Sequence, residues 1–171
     1  MPGGPKELDE AFEHIRRKNP QRSLEICERY IRDHPDDPNG YYSRFQAFSD
    51  LGENDKALAD INKVLELDPN HGGYSSRAIF FHNIGNYERA IEDSTFARGL
   101  DNEAWEGSLD ARFRADSYAR LGLIEEALAD CEYFSEELLI PPGVMGLPGG
   151  TKQEFIGEIK RRAAAAQKAK K

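Results

Sequence analysis

Residues Leu51–Pro69 read LGENDKALADINKVLELDP, and this stretch decides the fold. Gly52 ends a preceding helix, because glycine enters the left-handed conformation without steric cost. Asn54 and Asp55 offer side-chain oxygens to the free N–H groups of the helix that follows, and Pro69 stops that helix. Between them Ala57, Leu58, Ile61, Val64 and Leu65 fall at i, i+1, i+4, i+7 and i+8, the apolar stripe of a helix covered on one side. A single helix of this kind is marginal and needs neighbours.

The chain supplies them. Ile84–Leu100 reads IGNYERAIEDSTFARGL and Leu121–Phe134 reads LGLIEEALADCEYF. Gly52 and Gly85 are 33 residues apart and Gly85 and Gly122 are 37, close to a repeat of roughly 34 residues. The copies place Tyr41, Phe48, Gly52, Ala57, Ile61 and Pro69 in one unit. Tyr74, Ala78, Phe81, Gly85, Tyr87, Ala90 and Ala97 form the next, and Ala115, Tyr118, Gly122, Ala127 and Cys131 the last. On these residues the chain resembles the tetratricopeptide repeat family over about residues 38–137, and over 7–35 through Ser23, Leu24, Cys27, Ile31 and Pro35. The resemblance implies an all-α fold, an α-solenoid of about four antiparallel helix hairpins at about 6–35, 38–69, 71–100 and 103–137.

The flanks read differently. Residues 1–5 hold two prolines and two glycines and are expected to be a disordered leader, and 141–150, PPGVMGLPGG, to be a linker. Thr151 and Glu154 form a capping-box pair ahead of Phe155, Ile156, Ile159 and Ala163 at helical spacing. A capping helix with a basic tail is therefore expected over 151–171, covering the last apolar face of the array.

Three departures from the repeat pattern, and the linker, carry expectations of their own. The first hairpin has Lys18, Asn19 and Pro20 where a turn glycine belongs, with Pro20 placed to start the second helix. Phe45 stands where a small residue allows close helix contact. Residues 102–105 add about one helical turn before the fourth hairpin, which predicts a first helix beginning near Glu103 with Trp105, Leu109 and Arg112 on one inward stripe. For the apolar Val144, Met145 and Leu147 of the linker two readings stand: a mobile loop, favoured by the proline and glycine content, or a fold-back on the inner face of that hairpin.

The totals exclude several function classes. The 171 residues carry a net charge of −8 and a pI near 5.1, so neither a nucleic-acid backbone nor an anionic membrane is expected as partner. No stretch approaches the roughly 18 apolar residues of a membrane span, and the N-terminus has no apolar core of a signal peptide; a cytoplasmic location is expected. Cys27 and Cys131 have apolar neighbours at helical spacing and are expected to be reduced and buried. His14, His34, His71 and His82 have no second histidine or cysteine at i+3 or i+4, and GLPGGTK is too short for a phosphate loop. No metal, cofactor or catalytic residue is expected, and the chain reads as a non-enzyme.

Charge placement is more informative. Arg44, Arg77 and Arg114 each lie eight residues before their turn glycine, and Asp60, Asp93 and Asp130 lie eight after it. Symmetric placement about a turn brings antiparallel helices together at those positions, so a ladder of guanidinium–carboxylate forks is expected.

In the family resembled, the first helix of each pair lines a concave groove that binds peptide segments of other proteins. The resemblance implies a protein-interaction scaffold or adaptor with a groove lined by Tyr42, Gln46, Ser49, Asp50, Ser75, Ile79, His82, Asn83, Trp105, Leu109, Arg112, Asp116 and Arg120. One subclass grips chaperone tails with lysine, asparagine and arginine; here Leu8, Phe12 and Ser43 depart from that pattern, leaving Asn83, Arg112 and Arg120. The alternatives are a chaperone-tail-binding co-chaperone and a self-assembling structural protein, a homo-oligomer, which sedimentation would separate.

Overall fold

The computed structural model describes residues 6–106, 108–137, 139–140 and 150–170. The leader 1–5, and 141–149 with both readings of it, lie outside the described residues. Among the described residues the elements are α1 (Lys6–Arg16), α2 (Pro20–Asp33), α3 (Pro38–Leu51), α4 (Asn54–Leu67), α5 (His71–Asn83), α6 (Tyr87–Leu100), α7 (Asn102–Trp105), α8 (Leu109–Arg120), α9 (Ile124–Cys131), β1 (Leu139–Ile140), β2 (Gly150–Thr151) and α10 (Lys152–Ala169). The chain divides into two compact units, Met1–Gly73 and Tyr74–Lys171.

In the first unit α1–α4 form two hairpins. The turn between α1 and α2 is made by Lys18 at φ 56°, a left-handed conformation without glycine, and Pro20 opens α2 while the Asn19 side chain accepts the Arg22 N–H at 3.4 Å. Gly52 at φ 71° closes α3, its N–H and that of Glu53 reaching back to the Ser49 and Phe48 carbonyls. Phe45 is buried, its ring 5.9 Å from that of Tyr42. The close approach is made at Gly40 instead, where a Cβ would come within 2.9 Å of both Tyr30 and Ile31.

In the second unit the core joins Trp105 to Phe113, Ala115 and Ala119 of α8, Ala127 and Cys131 of α9, and Phe155, Ile159 and Ala163 of α10. Thr151 caps α10: its hydroxyl accepts the Glu154 N–H while the Glu154 carboxylate accepts the Thr151 N–H at 2.7 Å. The short antiparallel ladder β1–β2 pairs Leu139 with Thr151 and Ile140 with Gly150, just ahead of the helix. Lys152 Nζ donates to the Phe134 carbonyl at 2.8 Å, and Gln167 Nε2 to the Gly122 carbonyl at 2.8 Å. These contacts at opposite ends run α10 antiparallel to α9.

The expected extension of the fourth hairpin from Glu103 does not form. Asp101 caps its own turn by accepting the Ala104 N–H at 2.9 Å, and Glu106 leaves it in an extended conformation at ψ 127°. Ser108 then starts a new helix by accepting the Ala111 N–H at 3.0 Å. Two caps within eight residues split the segment into α7 and α8, because each N-cap satisfies donors that a continuous helix would bond internally.

Candidate protein-interaction face

Each hairpin with a turn glycine is closed by one fork. Arg44 Nε and Nη2 donate to the two Asp60 oxygens at 2.8 and 2.7 Å, Arg77 to Asp93 at 2.7 and 2.7 Å, and Arg114 to Asp130 at 2.8 and 2.6 Å. Planar guanidinium and carboxylate match in two bonds at once, which fixes both separation and rotation of the helices. Each guanidinium also lies against aromatic rings: Arg44 between Tyr41 and Phe48, and Arg77 between Tyr74 and Phe81.

The fourth hairpin lacks the first of these rings, having Ala111 in that place. Trp105 fills it. Arg114 lies 4.3 Å from the indole centroid and 5.9 Å from that of Tyr118. The indole N–H donates to Ser94 Oγ at 3.0 Å, Tyr133 packs on it edge-on, and Arg98 covers it at 4.8 Å. Trp105 is 0% exposed. Its expected place at the groove mouth is corrected: with α7 separate from α8, Trp105 leaves the stripe of Leu109 and Arg112 and enters the core. The signal in the sequence was Ala111 itself, a missing ring six residues after an inserted one.

Two other expected groove residues are withdrawn from the surface. His82 and Asp116 are buried. His82 Nδ1 lies 2.9 Å from Ser117 Oγ and Nε2 lies 3.3 Å from Asp116 Oδ2, while its ring meets Phe113 edge-on. Burial lowers the His82 pKa to about 4, against the pull of Asp116, so the ring is neutral near pH 7. Asp116 also accepts from Arg162 of α10 at 2.7 Å and from Arg120 at 3.3 Å. Two arginines donating to one carboxylate explain why it tolerates burial. Arg162 was absent from the expected site, although it falls on the same stripe of α10 as Phe155, Ile159 and Ala163.

What remains accessible on the first helices is a smaller set. Asn83 is exposed, Leu109 is 43% exposed, Arg120 is exposed and Arg112 and Ile79 are half-buried. Leu109, Arg112 and Arg120 follow one another at i, i+3 and i+11 along α8, a single stripe. Burial lowers the Arg112 pKa from its ordinary value. In the first unit Tyr42, Gln46 and Ser49 are half-buried and Asp50 is exposed.

The repeated chemistry has its counterpart among known proteins. The family model described as the tetratricopeptide repeat matches residues 40–71, the α3–α4 hairpin with its fork. The α3–α4 hairpin is thus matched as a tetratricopeptide repeat. Hsp70-Hsp90 organizing protein 2 of Arabidopsis thaliana is similar to this repeat protein, 32% identical over 74 residues, covering 43% of the chain and 13% of the relative. The chain thus spans about an eighth of the length of that relative. Among solved structures, MamA 41-end from Desulfovibrio magneticus RS-1 superposes with a TM-score of 0.68 at 15% identity, covering 96% of this chain and 90% of that one. A thermophilic tetratricopeptide protein of Thermus thermophilus gives 0.64 at 18% identity, covering 94% and 86%. At these identities the likeness shows the fold, an all-α chain of the α-solenoid class. Such repeats generally serve as protein-interaction scaffolds rather than as catalysts.

The remaining chemistry of the repeat protein is muted. Cys27 and Cys131 are free and buried, and burial pushes their thiols up to about 11 and about 12, far from the thiolate a nucleophile needs. Among the described residues no group of three or more His, Cys, Asp or Glu could hold a metal ion, and no helix is long and apolar enough to cross a membrane.

Proposed function

We propose that this repeat protein is an interaction scaffold that receives an extended segment of a protein partner along the first helices of the hairpins in its second unit. One observation supports the reading above others. On α8 an accessible apolar side chain, Leu109, stands in one stripe with the guanidiniums of Arg112 and Arg120, and the polar layer behind them is already hydrogen-bonded through Asp116. An accessible leucine flanked by two arginines fits a segment that presents a carboxylate beside an apolar side chain. Asn83 of α5 adds an amide to the same unit.

A chaperone tail as the segment is a second reading, supported by the similarity to Hsp70-Hsp90 organizing protein 2. Asn83, Arg112 and Arg120 would be its polar contacts; Leu8, Phe12 and Ser43 offer none of the gripping groups at the other positions.

The test begins by identifying the partner segment from the native cell and synthesising it as a peptide. Titration against the intact chain should show Leu109→Ala, Arg112→Ala and Arg120→Ala each weakening binding by roughly tenfold, with Lys63→Ala, on α4, as the neutral control. Binding that survives all three α8 substitutions unchanged overturns the proposal.

A further inference from the structure

Charge in the second unit is divided between two neighbouring elements. Residues 121–137 carry six carboxylates and no lysine or arginine, while residues 152–171 carry seven lysines and arginines against two glutamates. The two strips face solvent. Glu125, Glu126 and Ala129 of α9 and Arg161, Ala164 and Lys168 of α10 are all exposed. Lys152 pairs with Glu136 at 2.7 Å at the start of α10. Further along, although the helices pack together, no ion pair joins these exposed residues of α9 to those of α10 among the described residues; Arg161 pairs with Glu158 of its own helix, at 2.6 Å.

The registration of the strips follows from the contacts that hold α10. Lys152 meets the Phe134 carbonyl and Gln167 meets that of Gly122. With equal rise along two antiparallel helices, Glu125 and Glu126 stand roughly level with the turn from Arg161 to Ala164. The carboxylate pair therefore lies between the heights of Arg161 and Lys168, with the small Ala164 between those two cations.

We propose that the exposed faces of α9 and α10 form a self-complementary surface on which a second copy of this chain docks. A twofold axis parallel to the helices exchanges the strips and preserves height. It brings Glu125 and Glu126 of each copy over Ala164 of the other, flanked by Arg161 and Lys168. An axis across the helices would set carboxylates on carboxylates, so charge selects the first arrangement. The two alanines, Ala129 and Ala164, remove bulk where the helices approach. None of these residues belongs to the α5–α8 face assigned to the peptide, so the two surfaces are tested separately.

Each copy carries a net charge of −8, and this repels at long range. At an ionic strength of about 0.1 M the screening length is roughly 10 Å, which removes most of that repulsion and leaves close pairs intact. Sedimentation velocity of the full chain at that salt should show concentration-dependent dimers that dissociate at about 1 M salt. Arg161→Glu with Lys168→Glu should weaken association at least tenfold, and so should Glu125→Lys with Glu126→Lys. An equimolar mixture of these two variants should recover a one-to-one dimer, because an all-acidic surface then meets an all-basic one. Should the lysine variant fail to fold by circular dichroism, Glu125→Gln with Glu126→Gln must still weaken the dimer. Wild-type chain that stays monomeric at every concentration, a dimer that either variant leaves unchanged, or a folded mixture that stays monomeric each overturns the proposal.

Discussion

Arg114 is the most enclosed of the three fork arginines, with a side chain 5% exposed against 23% for Arg44 and 22% for Arg77. Removing one partner of a buried pair strands the other charge, so Arg114→Ala should destabilise by about 3–5 kcal/mol. Arg44→Ala and Arg77→Ala leave an aspartate that water can reach, and should cost about 1–3 kcal/mol. Chemical denaturation of the three variants checks the ranking, and equal losses would disprove the burial argument. These pairs were legible because their spacing is symmetric about a glycine that the chain itself marks. His82 was not, because its partners come from other elements: Ser117 and Asp116 of α8 in the next hairpin, and through Asp116 the Arg162 of α10. Its folded pKa, about 4, lies below the ordinary value of 6.5. The unfolded chain therefore binds the proton first as pH falls. His82 should make stability fall between about pH 6.5 and about 4, by up to about 1.4 kcal/mol per unit. The groups facing it are Asp116, Arg120 and Arg162. Thermal unfolding of His82→Gln should show a shallower loss than wild type across that window; an identical slope would place the dependence on the carboxylates alone.

At the scale of elements, the helices with glycine turns were readable because each carries its own stop and start. The first hairpin was harder. Its turn uses Lys18 at φ 56°, a conformation that no residue type announces as glycine does. The break between α7 and α8 was missed for a different reason: a period of 3.6 continues through Trp105, Leu109 and Arg112, and only the caps at Asp101 and Ser108 interrupt it. Periodicity shows which residues could share a face, and caps decide whether they do. The short helix delivers one ring to the core, and its removal should be felt there. Trp105→Ala should destabilise the second unit by about 3–5 kcal/mol. Trp105 is the single tryptophan of the chain, so its emission reports this site without ambiguity. It should be blue-shifted and shielded from iodide in the folded protein, and red-shifted emission with full quenching would contradict its burial.

On the scale of the whole molecule, the second unit contains a core of its own that runs from Trp105 to Ala163. A chain cut to residues 71–171 should therefore fold, retain the shielded indole and unfold cooperatively in denaturant. Loss of the blue-shifted emission in that fragment would show that the core needs residues before 71. Which face of this unit is open to a partner could not be read from the repeat pattern. The pattern assigns inward positions by rank within a helix. Burial of His82 and Asp116 depends on α10, whose Arg162 arrives from 46 residues downstream of Asp116.

The indole under Arg114 has an implication for how such a chain can change over generations. A repeat array ordinarily lengthens or shortens by copying or losing one period, because each period brings every group its fork requires. Here the ring comes from before Ser108, outside the stretch that a duplication of the last period would copy. A duplicate of residues 108–137 would keep Tyr118 but receive Ala111 in place of the other ring, and its arginine would face a gap where the indole stands. The last hairpin is thus bound to its insertion: the two must be inherited, shuffled or grafted together, and a chimera joined between them should fail to fold where one joined at Asp101 succeeds.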